Sequence, residues 1–226
     1  MSTDPATSTT GAQTGRIDFT LMYVTHDAFR RDLSRLRRAA AEGRTDSVGV
    51  QVGWANFKRQ LHVHHTAEDE ALWPRVEAAC AGRADAAEIL AAMEAEHARL
   101  DPLLDAVDAA MDAAADAAMD QHAADRTELI EVVTDLETAL GAHMKHEEVA
   151  ALPLIQDVLN PEDWTAFARV IARKQKLSGA AAYVPWVIDG AGEEQRAAFF
   201  TAMPAPVKVL NRLFWSSRYR KRHPWA

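Results

Sequence analysis

The stretch His64-His65-Thr66-Ala67-Glu68-Asp69-Glu70-Ala71-Leu72-Trp73-Pro74 decides how the rest of the chain is read. His64 and Glu68 stand four residues apart, which on a helix puts both side chains on one face, one turn apart. The order then recurs. His143, three residues, Glu147, an acid, four residues and Pro153 repeat the spacing of His64, Glu68, Asp69 and Pro74. Each copy follows a segment with a single histidine in its apolar stripe, His26 before the first and His97 before the second. The chain reads as two helical hairpins with similar polar sets.

Outward from these copies, four segments carry apolar residues at alternating spacings of three and four. The first stripe is Phe19, Met22, His26, Phe29, Leu33, Leu36 and Ala40; the second is Trp54, Phe57, Leu61, His64, Glu68, Leu72 and Val76. The third is Met93, His97, Leu100, Leu104, Val107 and Met111; the fourth is Leu129, Val133, Leu136, Leu140, His143, Glu147, Ala150 and Leu154. Gly43 to Gly49, Gly82 to Asp85 and the polar run Asp120 to Asp125 separate them. Short links between long amphipathic helices predict an all-α fold, an antiparallel up-down four-helix bundle over residues 16–158. Pro74, Pro102 and Pro153 predict kinks or helix ends.

Residues 159–226 form a C-terminal helical extension in this reading. Asn160-Pro161-Glu162-Asp163 has a capping side chain, a first-turn proline and first-turn acids, and predicts a helix to about Leu177. Beyond Ser178 the pattern is broken by Pro185, Pro204 and Pro206, and Val207 to Tyr219 can form a short amphipathic helix. Met1 to Gly15 is rich in Ser, Thr and Gly and lacks an apolar segment, so it reads as a disordered leader, not a signal peptide.

Composition narrows the function classes. Apolar residues make up 48 % of the 226, enough for a sizeable core, yet no run is long enough to span a bilayer. A single cysteine, Cys80, excludes disulfides and thiolate metal sites within the chain and fits a reducing cytoplasm. The net charge of −8 is uneven: from Pro161 onward 11 Lys/Arg face 5 Asp/Glu, and before it 14 face 28. Such an acidic body argues against nucleic acid as a partner. The basic tail could meet an anionic membrane or a protein, but packing back onto the acidic body is the simpler expectation. A monomer or weak dimer is expected.

The chemistry lies in six polar residues on otherwise apolar stripes: His26, His64, Glu68, His97, His143 and Glu147. A buried carboxylate is strongly unfavourable unless paired, and no Lys or Arg falls on the stripes. Four clustered imidazolium ions would repel one another. A metal ion resolves both problems, because it takes neutral imidazole and ionised carboxylate as ligands. Two hairpins facing each other would hold two metals, with Glu68 and Glu147 placed to bridge. Charge balance favours two irons without excluding other metals.

The run His64 to Pro74 resembles the His-x-x-x-Glu segment of hemerythrin-like HHE cation-binding domains, and His143-Met144-Lys145-His146-Glu147-Glu148 resembles its second copy. His26 matches the lone first-helix ligand and His97, in Glu96-His97-Ala98-Arg99-Leu100, the third-helix ligand. The resemblance covers roughly residues 18–158. It implies two iron ions with a bridging oxo or hydroxo group, held in an antiparallel bundle and meeting O₂, NO or peroxide. The chain departs from hemerythrins proper, which have a second third-helix histidine. One turn either side of His97 stand Met93 and Asp101. Asp101, His65 or Tyr23 could supply the seventh ligand; if none does, an extra open position favours peroxide or oxidase chemistry over reversible O₂ carriage.

Other residues receive plainer expectations. His65, next to His64, is either a ligand or stands just outside the ligands, and Asp69 falls in an outer shell; His62, His122, His146 and His223 are solvated; Glu70 and Glu148 are surface acids. Arg30, Arg31, Arg35, Arg37 and Arg38 form a solvated face, and Trp54, Phe57, Phe19 and Phe29 are plain core. Three roles follow. The first is scavenging, detoxification or sensing of O₂, NO or peroxide. The second is an iron or oxygen sensor, or an interaction protein, acting through the C-terminal extension. The third is iron storage or delivery.

Overall fold

The computed structural model describes residues 16–117 and 124–226. The leader expected at residues 1–15, most of the link expected at Asp120 to Asp125, and His122 lie outside the described residues. Those described are helical, with no strand among them.

Helix α1 is Thr20–Glu42. Its first free amide, on Thr20, donates to Asp18 Oδ1 at 2.9 Å, and it ends on Gly43, whose φ of 65° a side chain would resist. Helix α2 covers residues 48–79 and starts under the Ser47 side chain, which accepts from the Val50 amide. Helix α3 is Ala84–Ala117, and α4 covers residues 124–158.

Both prolines after the glutamates act in the same way. Glu68–Leu72 and Glu147–Ala151 are π-helical turns, and α-helix resumes at Trp73 and Leu152, one residue before Pro74 and Pro153. A proline ring collides with the carbonyl four residues back, and widening the turn relieves the collision. The amides of Trp73 and Leu152 accordingly reach five residues back, to the Glu68 and Glu147 carbonyls. Pro102 does otherwise: α3 runs through it. The carbonyl it leaves without a donor belongs to Ala98, an exposed residue, where water can take the donor's place.

The core falls into two apolar clusters with the polar residues between them. Along α1, Met22 lies in one cluster and Phe29 in the other, with His26 between. Along α2, Leu61 and Leu72 flank His64 and Glu68 in the opposite order. Met93 and Leu100 flank His97 in the first order, and Leu140 and Leu152 flank His143 and Glu147 in the second. The polar layer thus sits mid-core on every helix, and the order of the clusters alternates from helix to helix. Phe29 and Phe57, both fully buried and edge-to-face at 5.5 Å, wall it on one side; truncating either to alanine costs about 3–5 kcal/mol.

The extension shares both clusters. Helix α5, Pro161–Val187, begins with a capping box between Asn160 and Asp163. The helix expected to about Leu177 is interrupted at Lys176, whose φ of 54° and ψ of 175° are not helical, and a second helical stretch runs from there to Val187. Burial of Val184, Pro185 and Trp186 carries it on. Helix α6 is Glu193–Ala202, and α7 covers residues 205–220 with a third π turn at Asn211–Trp215. Phe167 joins one cluster; Trp186, Phe199, Trp215 and Trp225 join the other. The Trp225 amide donates to the Gly49 carbonyl at 2.7 Å, and its ring occupies the space that a Cβ on Gly53 would fill.

The arginine face of α1 is the solvated surface expected from the sequence only at Arg37 and Arg38, and not at Arg30, Arg31 and Arg35. Arg31 and Arg35 pair with Asp32, a fully buried carboxylate that also accepts from Trp186 Nε1 at 2.6 Å. Arg35 reaches Asp189 at 2.8 Å, Arg37 reaches Glu137 at 3.4 Å and Arg30 reaches Glu148 at 2.8 Å, while Arg38 is exposed. The cause is long-range: the extension lies over this face and supplies Asp189 and the Trp186 carbonyl, to which Arg31 donates at 3.0 Å.

Candidate metal centre

His26, His64, Glu68, His97, His143 and Glu147 converge in one buried layer. Among the described residues two groups offer donor atoms close enough to share a cation: His26, His64 and Glu147, and His65, His97 and His143. In the first, His26 Nε2 lies 3.3 Å from His64 Nε2 and 3.1 Å from Glu147 Oε2. In the second, His97 Nε2 lies 3.2 Å from His143 Nε2. Glu68 spans the two, with Oε1 at 3.0 Å from His64 Nε2 and Oε2 at 3.7 Å from His97 Nε2.

The outer nitrogens are held by carboxylates. Glu148 takes His26 Nδ1 at 2.9 Å, Asp69 takes His97 Nδ1 at 2.8 Å, and Glu96 takes His143 Nδ1 at 2.9 Å and His146 Nδ1 at 2.8 Å. An ionised carboxylate only accepts, so each Nδ1 carries a proton. In neutral His97 and His143 each Nε2 is then a bare lone pair, and two lone pairs at 3.2 Å repel unless a cation lies between them. Two expectations are corrected here. Glu148 is no surface acid: its side chain is 14 % exposed and fixes His26 together with Arg30. His146 is half-buried against Glu96, not freely solvated.

The glutamates are the most telling atoms. All four carboxylate oxygens of Glu68 and Glu147 are buried and none receives a hydrogen bond of good geometry, although His26 Nε2 stands 3.1 Å from Glu147 and His64 Nε2 3.0 Å from Glu68; His65 Nε2 is likewise without a partner. Orphaned acceptors of this kind cost several kcal/mol unless a cation satisfies them, of the order of 1–3 kcal/mol for each unpaired group and more when it is charged. The donor set of imidazole nitrogens and carboxylate oxygens suits iron, manganese or zinc.

Without a cation the layer balances its charge internally. Burial pulls His26 down, but Glu147 and Glu148 outweigh it and lift the imidazole to about 9. Burial pushes Glu147 up, but His26 prevails and holds it at about 2. Glu68 has no such partner, so burial, reinforced by Glu147 and Asp69, pushes it well above the usual carboxylate range. Burial and the neighbouring His26 charge bring His64 down to about 3, and burial lowers His65 and His143 as well.

Of the three candidates for a seventh donor, only His65 stands in a donor group. Its ring stacks on His97 at 4.1 Å and meets His143 edge-on at 5.1 Å. Asp101 is exposed and Tyr23 is 43 % exposed; neither belongs to either group. A groove of about 1000 Å³ between α2 and α3 is lined by His65 and His97, with Asp69, Trp73 and Asp101 along it. The second group therefore borders a cavity, whereas His26 and Glu147 are fully buried.

A helical chain with a buried layer of imidazoles and carboxylates, arranged in two cation-sized groups, defines the class: a metal-binding helical protein. The chain belongs to the hemerythrin HHE cation binding domain family, which matches residues 18–155. No curated protein and no solved structure matches it.

Proposed function

We propose that this chain is a non-haem di-iron protein that binds or reacts with O₂, NO or peroxide. In this reading His26, His64, Glu68, His97, His143 and Glu147 are the ligands, and His65 is the seventh. The carrying observation is the pair of buried glutamates, whose four oxygens receive no hydrogen bond of good geometry, set between two groups of inward nitrogens. The alternating order of the two core clusters along α1 to α4 supports an antiparallel up-down four-helix bundle around the site. The acidic body argues against nucleic acid, and the lone Cys80 supports a reducing cytoplasm. Among the described residues no helix is long and apolar enough to cross a membrane.

A bound iron pair supplies electrons to, or a coordination position for, a small oxygen or nitrogen species. The chain's own residues do the rest. Glu148, Asp69 and Glu96 keep the protons on the outer nitrogens and aim the inner ones. The groove beside His65 and His97 gives a small ligand a way in, and Phe29 and Phe57 keep bulk water from the other side. The test is anaerobic loading with Fe(II), then addition of O₂, NO or peroxide in turn while the visible spectrum is followed. New bands that persist or decay with ligand are expected; an iron-loaded chain silent to all three contradicts the proposal.

A second reading, a sensor acting through the extension, has its own observation. Trp186 packs on Phe29 at 5.2 Å, and Phe29 packs on His64 at 5.6 Å. Tryptophan emission that shifts on iron binding in wild type but not in Trp186→Phe supports it; emission indifferent to iron dismisses it.

A further inference from the structure

Helix α7 presents a face that the metal site does not use. Val207, Asn211, Trp215 and Tyr219, four residues apart, point inward: Asn211 and Trp215 are buried, and Val207 and Tyr219 pack against the core. The stripe one residue on, Lys208, Arg212, Ser216 and Arg220, lines a shallow pocket of about 440 Å³ with Phe200 and Asn211. The next stripe carries Val209 and Leu213, 53 % and 59 % exposed, and beside it stands Phe214 at 60 %. Three large apolar side chains thus project within six residues of a helix whose inner stripe is already satisfied.

Charge identifies what such a ridge meets. Residues 205–226 hold six cations, Lys208, Arg212, Arg218, Arg220, Lys221 and Arg222, and no acid. No carboxylate of the described residues lies within ion-pair distance of any of the six. The segment folds back by its backbone and by Trp225, yet its charges stay outward. An apolar ridge bordered by unpaired cations matches an anionic lipid surface: acyl chains and glycerol take the ridge, and headgroup phosphates take the cations. The acidic remainder of the chain is repelled by the same surface, which fixes this face toward it.

We propose that α7 and the basic run after it form a peripheral docking surface for anionic bilayers, with Val209, Leu213 and Phe214 entering the interface and Lys208, Arg212 and Arg220 receiving lipid phosphates. The proposal stands independently of the metal chemistry. Its test is sedimentation of the full-length chain with vesicles of phosphatidylcholine alone and of phosphatidylcholine with one-third phosphatidylglycerol. Binding only to the anionic vesicles, weakening as salt rises, is expected. R212S/R220S should weaken it about fivefold for each arginine removed. L213S/F214S should weaken it as well, and both pairs lie on exposed positions, so helicity by circular dichroism should be unchanged. R212E/R220E is the second charge variant and should abolish binding. Wild type that stays in the supernatant at low salt, or that binds both vesicle types equally, overturns the proposal. So does capture by an acidic polypeptide such as poly-glutamate without vesicle binding, or a dimer that L213S/F214S makes monomeric and that leaves vesicles unbound.

Discussion

The two halves of the metal layer use the same residue types and differ in their surroundings. The half built on His26, His64 and Glu147 is sealed: His26 and Glu147 are fully buried, and the outer partner, Glu148, is 14 % exposed and tied to Arg30. The half built on His65, His97 and His143 borders the groove, and its outer partner Asp69 is 50 % exposed. The sealed half holds its geometry through a partly exposed relay from Arg30 to Glu148 to the buried His26 imidazole. An open half leaves space for a ligand. The near-repeat in the sequence thus yields one sealed side and one side that borders the groove.

The strongest way to break this comparison is to remove what the halves share. Glu68→Ala should take away the oxygens that reach both groups and reduce bound iron from two ions per chain to one or none, read by metal analysis after desalting. His65→Ala comes next. It should cost the open half its ion and leave the sealed half loaded, so that one iron remains and reactivity with peroxide or NO is lost. If His65→Ala keeps two ions, His65 is not a ligand.

The outer partners sharpen the contrast. Glu148→Gln and Asp69→Asn should each lower iron affinity by about 10–100-fold, the usual cost of removing a carboxylate behind a metal-bound histidine. Glu148→Gln should lie at the upper end, because Glu148 is 14 % exposed and Asp69 50 %. Competition against a graded series of chelators measures both, and equal losses would erase the distinction between the halves.

The smallest effect is in protons. In the metal-free chain His26 stays charged up to about 9, and Glu68 is held protonated above its ordinary range. Both must lose protons to become ligands, so metal binding at neutral pH releases protons and affinity rises with pH until about 9. A weakly buffered titration with an indicator dye should show the release, and Glu68→Gln should diminish it.

Much of this was legible from periodicity. The stripes place His26, His97 and the two His–Glu pairs inside helices, because a polar residue at an apolar period stands out. Residues one position off a stripe carried no such signal. Glu148 follows Glu147 and Asp32 precedes Leu33, and each is drawn inward by partners far along the chain, Arg30 and Trp186. His65, beside His64 and off the stripe, was legible only as one of three candidates for the seventh donor, with Asp101 and Tyr23. The prolines gave the location of a disturbance and not its form: the kinks expected at Pro74 and Pro153 are π turns that begin on the glutamates themselves. The interruption at Lys176 falls within two residues of the helix end expected near Leu177, whereas the second helical stretch to Val187, which runs through Pro185, was not foreseen.

The most direct test of the central claim is the iron stoichiometry of the metal-free chain under anaerobic titration. Two Fe(II) per chain, with the second lost in His65→Ala, is the result this account predicts. No tight binding, or a single ion that survives both Glu68→Ala and His65→Ala, would contradict it.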